Sequence, residues 1–550
     1  MRSLKIISGL LALAVLGLAS TGSAQSQEKA FEPVPASLTE PGENYRPLSL
    51  DEAIAVGLQN NLDVQVNRFS PYASELTSQA AWGAYDPVLS GNAGYAGDAQ
   101  ENTFQINQVQ VAKNYVVNGE LGISALIPYW GGRLFVNFDS ERILTNSTIQ
   151  NYSPQYESGV EFGANVPLLR GLIWNEPWTQ VKLTQLNYGA AVDEFTTSVM
   201  DTVFSIIGSY WDLVAKRERV RVAIKSLSST RALLQQTEIQ YQVGVVSKVE
   251  VVQAEAGVAN SEYDLIVARN DYRNTQDDLI AQVLGNRLRP DTNLLFDPTD
   301  DPQYSRVQPV DLDAAVKRAF VNRPELAAAQ KRIGQREVQL KFAKNQRLPQ
   351  VDIDFRYRTL GITGDANNSI QGNSFFPAPN CDPPGPGNNN PIDCGSYGDT
   401  FNEYWDNNHE IAAYGVISIP LGNIRARKEE SKARIELRKA GSQVRRLQQM
   451  IIKDVRSSAR GLLASAQGVE AAERRRVAAE EQLRAETIRL EHGESTPFEV
   501  LQRERDLVDA ESQKIDALRA FRLSQAKLQR DEGTILADRN VSIDQVQKIE

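Results

Sequence analysis

The chain has 550 residues, and its 69 acidic against 59 basic side chains leave a formal charge of −10, so it lacks the basic footprint of a nucleic-acid binder. Its two histidines, His409 and His492, stand far apart and its two cysteines share one loop, which excludes a histidine-based catalytic or zinc centre and gives no reason to expect a cofactor. No Gly-x-x-x-x-Gly-Lys-Ser/Thr loop is present, and the carboxylates lie mostly beside Lys and Arg on helical surfaces, so no enzymatic role is expected.

From the N-terminus, Arg2 and Lys5 precede the apolar run Ile6 to Leu18, and Gly22-Ser23-Ala24 follows. This is the pattern of a secretory signal peptide over 1–24, with a linker over 25–47. Beyond it no stretch approaches the about 20 uninterrupted apolar residues that a membrane-crossing helix needs, so any membrane contact is expected through strands. A first repeat spans 48–289 and opens on Leu50-Asp51-Glu52-Ala53, with Asn60 and Asp63 after it. Strands are predicted at Pro87 to Gly97 and Glu157 to Leu168, with an additional pair around Val117 to Ile127 and Arg133 to Asp139. In the second of these strands Val160, Phe162, Ala164, Val166 and Leu168 alternate with Gly159, Glu161, Gly163 and Asn165. A proline-free stretch then predicts a helix from near Pro177 to Val243, on the order of 100 Å long. Its seam runs Val203, Ile206, Tyr210, Leu213, Val220, Ile224, Leu227, Leu234 and Tyr241, interrupted by Arg217, Arg231 and Glu238.

After a linker at 290–310, the second repeat covers 311–533. Leu312-Asp313-Ala314-Ala315, Asn322 and Glu325 match the opening of the first. Val351, Ile353, Phe355, Tyr357 and Thr359 alternate with charged residues, and a further strand is expected from Glu410 to Leu421. Between them lies a Pro-, Gly- and Asn-rich loop at 361–408 that holds Cys381 and Cys394, a disulfide expected in an exported protein. Val444, Leu447, Ile451, Val455, Ala459, Leu462, Ala466 and Val469 form the seam of a second long helix, whose consecutive steps of four relax supercoiling. A polar tail occupies 534–550.

Four landmarks therefore recur in one order: the Leu-Asp-x-Ala opening, Pro87 with Pro349, Pro167 with Pro420, and Gly244 with Gly493. The prolines mark strand–helix junctions. Around the glycines, Ser247 with Glu250 and Thr496 with Glu499 read as capping boxes, and Pro497 suits a first helical position. Gly244 and Gly493 suit the left-handed residue that ends the preceding helix, so each site reads as a helix-turn-helix tip, with Tyr241 three residues before the first glycine. Aromatic residues near the strand ends, Trp82, Tyr85, Tyr129, Trp130, Trp174, Trp178, Tyr404 and Trp405, fit an interfacial girdle. About four core strands cannot close a barrel, whose minimum is about eight, so several chains are expected to share one.

Between Leu48 and Gly533 this order resembles the TolC-like outer-membrane efflux proteins, most specifically from Tyr241 through Gly244 to Glu250, Val251 and Ala254. The resemblance implies a mainly α fold with β: a long helical coiled-coil barrel continuous with a transmembrane β-barrel, shared within a homotrimer at about four strands per chain. It implies a channel in the outer membrane, in contact with its lipid and reaching into the periplasm. That channel would serve as the exit duct of a tripartite efflux or type I secretion system, passing substrates from an inner-membrane RND or ABC transporter through a periplasmic adaptor. Tyr241, Gly244, Ser247, Glu250, Gly493, Thr496 and Glu499 would then lie at the periplasmic entrance, where the two glutamates favour cations. The tyrosine, arginine and acid by which well-studied members lock that entrance are replaced by Leu490, Ser495 and Gln502. The competing expectation is an exported trimeric coiled-coil or adhesin-like stalk with a β anchor, which accounts for the heptads but not for the duplicated strands.

Overall fold

Apolar steps of three and four without proline dictate the longest elements. In the computed structural model, which describes residues 44–101, 109–292, 294–302, 310–370, 378–382, 391–405 and 408–543, they form helices α3 (Glu176–Gln242) and α7 (Ile424–Glu491), of 67 and 68 residues. Each is about 100 Å long. The signal-peptide reading at 1–24 lies outside the described residues.

The duplication organises the rest. In the first repeat, α1 (Leu50–Asn60) and α2 (Leu62–Ala80) lead into strands and then into α3 and α4 (Lys248–Leu284). In the second, α5 (Leu312–Asn322) and α6 (Pro324–Asn345) lead into strands and then into α7 and α8 (Pro497–Glu532). Along one half of each long helix packs the return helix, α4 on α3 and α8 on α7; along the other packs the preceding helix, α2 on α3 and α6 on α7. Helices α3 and α8 also pack together, joined by ion pairs Asp201–Arg530 (2.7 Å), Arg219–Asp516 (2.5 Å) and Lys225–Glu511 (3.2 Å).

The seam is buried where it meets the middle of the molecule and loosens toward its end. Val203, Ile206, Tyr210, Leu213, Val220 and Leu227 are buried, Leu234 is half-buried and Tyr241 is exposed. The largest core gathers the six buried seam residues with Ala53, Ile54, Tyr272, Leu279, Phe296 and Ile535. Three segments read as two linkers and a tail therefore contribute to the core. Strand β1 (Asn44–Leu48) pairs in parallel with β6 (Leu294–Pro298), and Ile535 and Leu536 of the C-terminal segment are buried beside them. Tyr210 fastens this layer to α3, because its hydroxyl donates to the Asp300 carboxylate (2.6 Å) and lies 3.0 Å from the Leu48 carbonyl. Arg217, an interruption by sequence, is buried and pairs with buried Asp297 at 3.2 Å.

One six-stranded antiparallel sheet holds β2 (Val88–Glu101), β3 (Val111–Leu126), β4 (Arg133–Thr145), β5 (Tyr152–Pro167), β7 (Gln350–Ala366) and β8 (His409–Ser418), in that spatial order. The six are the four expected core strands, β2, β5, β7 and β8, and the additional expected pair, β3 and β4. Among the described residues the hairpin β3–β4 has no counterpart in the second repeat, yet it pairs along nearly its full length with β2 on one side and β5 on the other. Strand β7 also takes residues up to Ala366 from the segment read as loop 361–408, and a 3-10 turn at Tyr397–Trp405 packs back on it. Among the described residues no helix is long and apolar enough to cross a membrane.

Candidate functional site

Side chains alternate across a strand, so pairing register decides which residues share a face. Leu89, Ile123, Val136, Phe162, Tyr357 and Ile411 are successive Cα partners across all six strands and line one face. The next row, Ser90, Gly122, Asn137, Glu161, Arg358 and Glu410, lines the other. Away from the 3-10 turn the first face is an uncovered apolar surface, with Leu89, Leu121, Ile123, Leu134, Phe162, Ile353, Phe355 and Ile411 exposed. Its upper part is covered by the 3-10 turn, where Phe401 stacks on Phe138 at 6.0 Å and the Tyr404 hydroxyl donates to Ser158 at 2.7 Å. The second face is charged and hydrogen-bonded: Arg358 reaches Asp139 (2.6 Å), Arg356 lies 3.8 Å from Glu161, Asn165 donates to Asp354 (2.9 Å) and Asn92 donates to Glu120 (2.9 Å). Acidic groups outnumber basic ones on it, since Asp98, Glu120, Asp139, Glu141, Glu157, Glu161, Asp352, Asp354 and Glu410 face Arg133, Arg356 and Arg358.

Proline stands where each long strand meets a helix. Pro87 directly precedes β2, Pro349 directly precedes β7, Pro167 ends β5, and Pro420 lies between β8 and α7. Having no N–H, proline adds no ladder donor and stops the strand without an unpaired group. At the same end of the sheet, Trp82, Tyr129 and Trp178 form a cluster, with ring centroids 6.0 Å apart for Trp82–Trp178 and 4.4 Å for Tyr129–Trp178. Trp82 also meets Tyr85 at 5.9 Å, and Lys341 lies over the Trp174 ring at 5.4 Å. Trp130 is exposed.

At the far end of the long helices the two tips are built alike. Gly244 and Gly493 have φ of +79° and +76°. In the first tip the Gly244 N–H donates to Tyr241 (3.0 Å) and the Val245 N–H to Gln240 (2.9 Å); in the second, Gly493 donates to Leu490 (3.0 Å) and Glu494 to Arg489 (2.8 Å). Both are Schellman closures, which satisfy the last carbonyls of a helix through one left-handed residue. The Ser247 N–H donates to the Glu250 carboxylate at 3.0 Å, and the Thr496 hydroxyl accepts from the Glu499 N–H at 3.4 Å. Glu250 is half-buried and Glu499 exposed, and Lys248 lies over the exposed Tyr241 ring at 5.8 Å. The hairpins lie side by side, α4 meeting α8 where Gly257 leaves room for Leu501.

Two features of the tips escaped the sequence. Ser495 donates to Glu486 at 2.5 Å, a bond inside one hairpin between residues nine apart. One turn further from the tip, Glu504 is buried between α3 and α8 and accepts from Ser229 at 3.2 Å. Burial raises its pKa, against the lowering effect of the Ser229 hydrogen bond and of Lys225. Its spacing from Val500, Leu501 and Leu507 puts it on the buried face of α8, but its charge makes it read as a surface residue. Cys381 and Cys394 are joined by a disulfide in the loop between β7 and β8, far along the chain from either tip.

A family model described as outer membrane efflux protein matches residues 136–286 and 315–533. No curated protein sequence matches the chain. Among solved structures, the outer-membrane channel OprN is 14% identical, with 93% of this chain and 98% of that one covered, at a TM-score of 0.60. The CmeC outer membrane channel of Campylobacter jejuni is 11% identical, covering 91% and 89%, with a TM-score of 0.59. The outer membrane protein VceC of Vibrio cholerae is 15% identical, covering 88% and 96%, with a TM-score of 0.59. At these identities the likeness is one of fold.

Proposed function

Since this chain belongs to the family of outer membrane efflux proteins, we propose that it is the outer-membrane exit duct of a tripartite efflux or type I secretion system, working as a passive channel. The observation that carries this reading is the two-faced sheet set on two helices of about 100 Å. An apolar row exposed across six strands suits acyl chains, and the charged row behind it suits a wet lumen. Among the described residues neither edge strand, β2 or β8, has a second neighbour, and six strands fall short of the about eight that close a barrel, so copies of the chain complete the wall. Three copies around one axis would set the paired hairpins at Gly244 and Gly493 in a ring at the periplasmic end. There they would meet a periplasmic adaptor and an inner-membrane transporter of the RND or ABC kind, which supply energy and choose the cargo.

Purified oligomer reconstituted in planar bilayers tests this. Discrete single-channel currents, with cations preferred over anions, support the duct. Absence of any conductance across a wide range of voltage and pH refutes it and favours a stalk.

A further inference from the structure

The geometry points to a wider mouth than two duplicated strand pairs would build: the hairpin β3–β4 is part of the membrane wall, so that three chains close an eighteen-stranded barrel with an enlarged acidic bore. This rests on the trimeric duct proposed above.

Four observations carry it. The hairpin is not an appendage, because Gly91 to Gly97 of β2 pair with Leu121 to Tyr115 of β3, and Leu134 to Phe138 of β4 pair with Ala164 to Val160 of β5. Removing it would leave β2 and β5 two strand widths apart. Its faces also agree with those of the duplicated strands: Leu121, Ile123, Val136 and Phe138 continue the apolar surface, and Glu120, Asn137 and Asp139 the polar one. A hairpin standing clear of the bilayer has no reason to repeat that alternation in register. The turn at its lower end is seated in the strand–helix junction, where the Ile127 N–H donates to the Gly132 carbonyl at 2.7 Å and Tyr129 packs against Trp178. Finally, strand direction alternates across the six, so β8 of one copy runs antiparallel to β2 of the next and closure preserves the pattern.

With strands about 4.8 Å apart and tilted about 40°, the backbone radius is about 18 Å for eighteen strands against about 12 Å for twelve. The open cross-section rises about twofold. Glu120, Asp139 and Glu141 of the hairpin add acidic groups to the enlarged lumen, which suits bulky solutes of neutral or positive charge.

Reporter cysteines test the placement, since the only native cysteines are already bonded to each other. Asn137→Cys and Val136→Cys probe the hairpin, and Glu161→Cys and Phe162→Cys probe β5 in the same oligomer in lipid vesicles. The inference expects a charged, membrane-impermeant thiosulfonate to modify Asn137→Cys at least about tenfold faster than Val136→Cys. A fluorophore at Val136→Cys should be quenched by brominated acyl chains to the same extent as one at Phe162→Cys. Equal reaction at the two hairpin positions, with alternation retained in β5, overturns the inference and leaves the duct intact. Loss of alternation in β5 as well overturns both. The mass of the intact oligomer fixes the multiplicity: three chains support eighteen strands, and any other number rejects it.

Discussion

Arg217 offers the sharpest test of what holds the middle of the molecule together. It lies in the seam of α3, yet its guanidinium is buried and reaches Asp297 of β6 at 3.2 Å and Glu218 at 3.1 Å. Side-chain exposure is 8% for Arg217 and 3% for Asp297, so solvent can replace neither partner. Burial raises the Asp297 pKa while Arg217 opposes that rise, so the cation is what keeps the carboxylate charged in place. Arg217→Met fits the apolar seam but strands a buried carboxylate, at a cost of about 3–5 kcal/mol. The double variant Arg217→Met/Asp297→Leu removes both charges and should recover most of that loss. Because the folded pKa of Asp297 is raised further in the single variant, its stability is greatest below the ordinary carboxylate pKa and declines as pH rises through the raised value. The deficit against the parent should therefore be larger at pH 8 than at pH 5. Denaturant titration of the detergent-solubilised protein, followed by tryptophan fluorescence, reads all three quantities. A single variant within about 1 kcal/mol of the parent, or a double variant no better than the single, refutes the claim that this pair fastens β6 to the long helix.

Gly244→Ala and Gly493→Ala each force a Cβ into left-handed backbone and should cost about 1 kcal/mol, seen as faster amide exchange confined to the tips. Glu504→Gln should stabilise the helical region at neutral pH and leave it unchanged below about pH 4.5, because the raised carboxyl loses stability only as it ionises; equal melting at both pH values contradicts this. Glu499→Gln should shift the bilayer reversal potential toward lower cation preference, and no shift would leave that residue a role at the helix start only. Phe162→Arg places a cation on the apolar face and should cost about 2–4 kcal/mol per chain, lowering the yield of folded oligomer, whereas Glu161→Gln on the other face should fold normally.

What the sequence reveals is what repeats or has a period. The seam from Val203 to Leu227 is legible because each step of three or four lands on one helix face, and the tips because Gly, hydroxyl and Glu fall at fixed offsets twice. The hairpin β3–β4 is half visible. Val116, Val117, Leu121 and Ile123 mark a strand, but Gly119, Gly122 and interspersed polar residues blur its ends, and its absence from the second repeat hides its place in the sheet. Strands β1 and β6 are five residues each and pair across about half the chain, so no local period announces them. Arg217 looks like a flaw in a heptad because Asp297, its partner, lies 80 residues away.

The same contacts bear on how the tip closes. Packing weakens along α3 from the buried stretch at Val203 to Leu227 toward the exposed Tyr241, so the last turns depend least on the interior and are the cheapest part of the helix to displace. Leu490, Ser495 and Gln502 stand where a bridging tyrosine, arginine and acid are absent. Leu490 is buried, Ser495 bonds to Glu486 within its own hairpin, and Gln502 donates to Asp506 on its own helix at 3.5 Å. Each of these bonds holds one hairpin's shape and none links it to the neighbouring hairpin at Gly244. Contact between the hairpins falls instead to Gly257 against Leu501 and to α3 against α8. Toward the tips α3 is held to α8 by the Ser229–Glu504 hydrogen bond and, one turn further in, by the Lys225–Glu511 ion pair (3.2 Å), so opening should respond to the protonation of Glu504 and, through that pair, to salt.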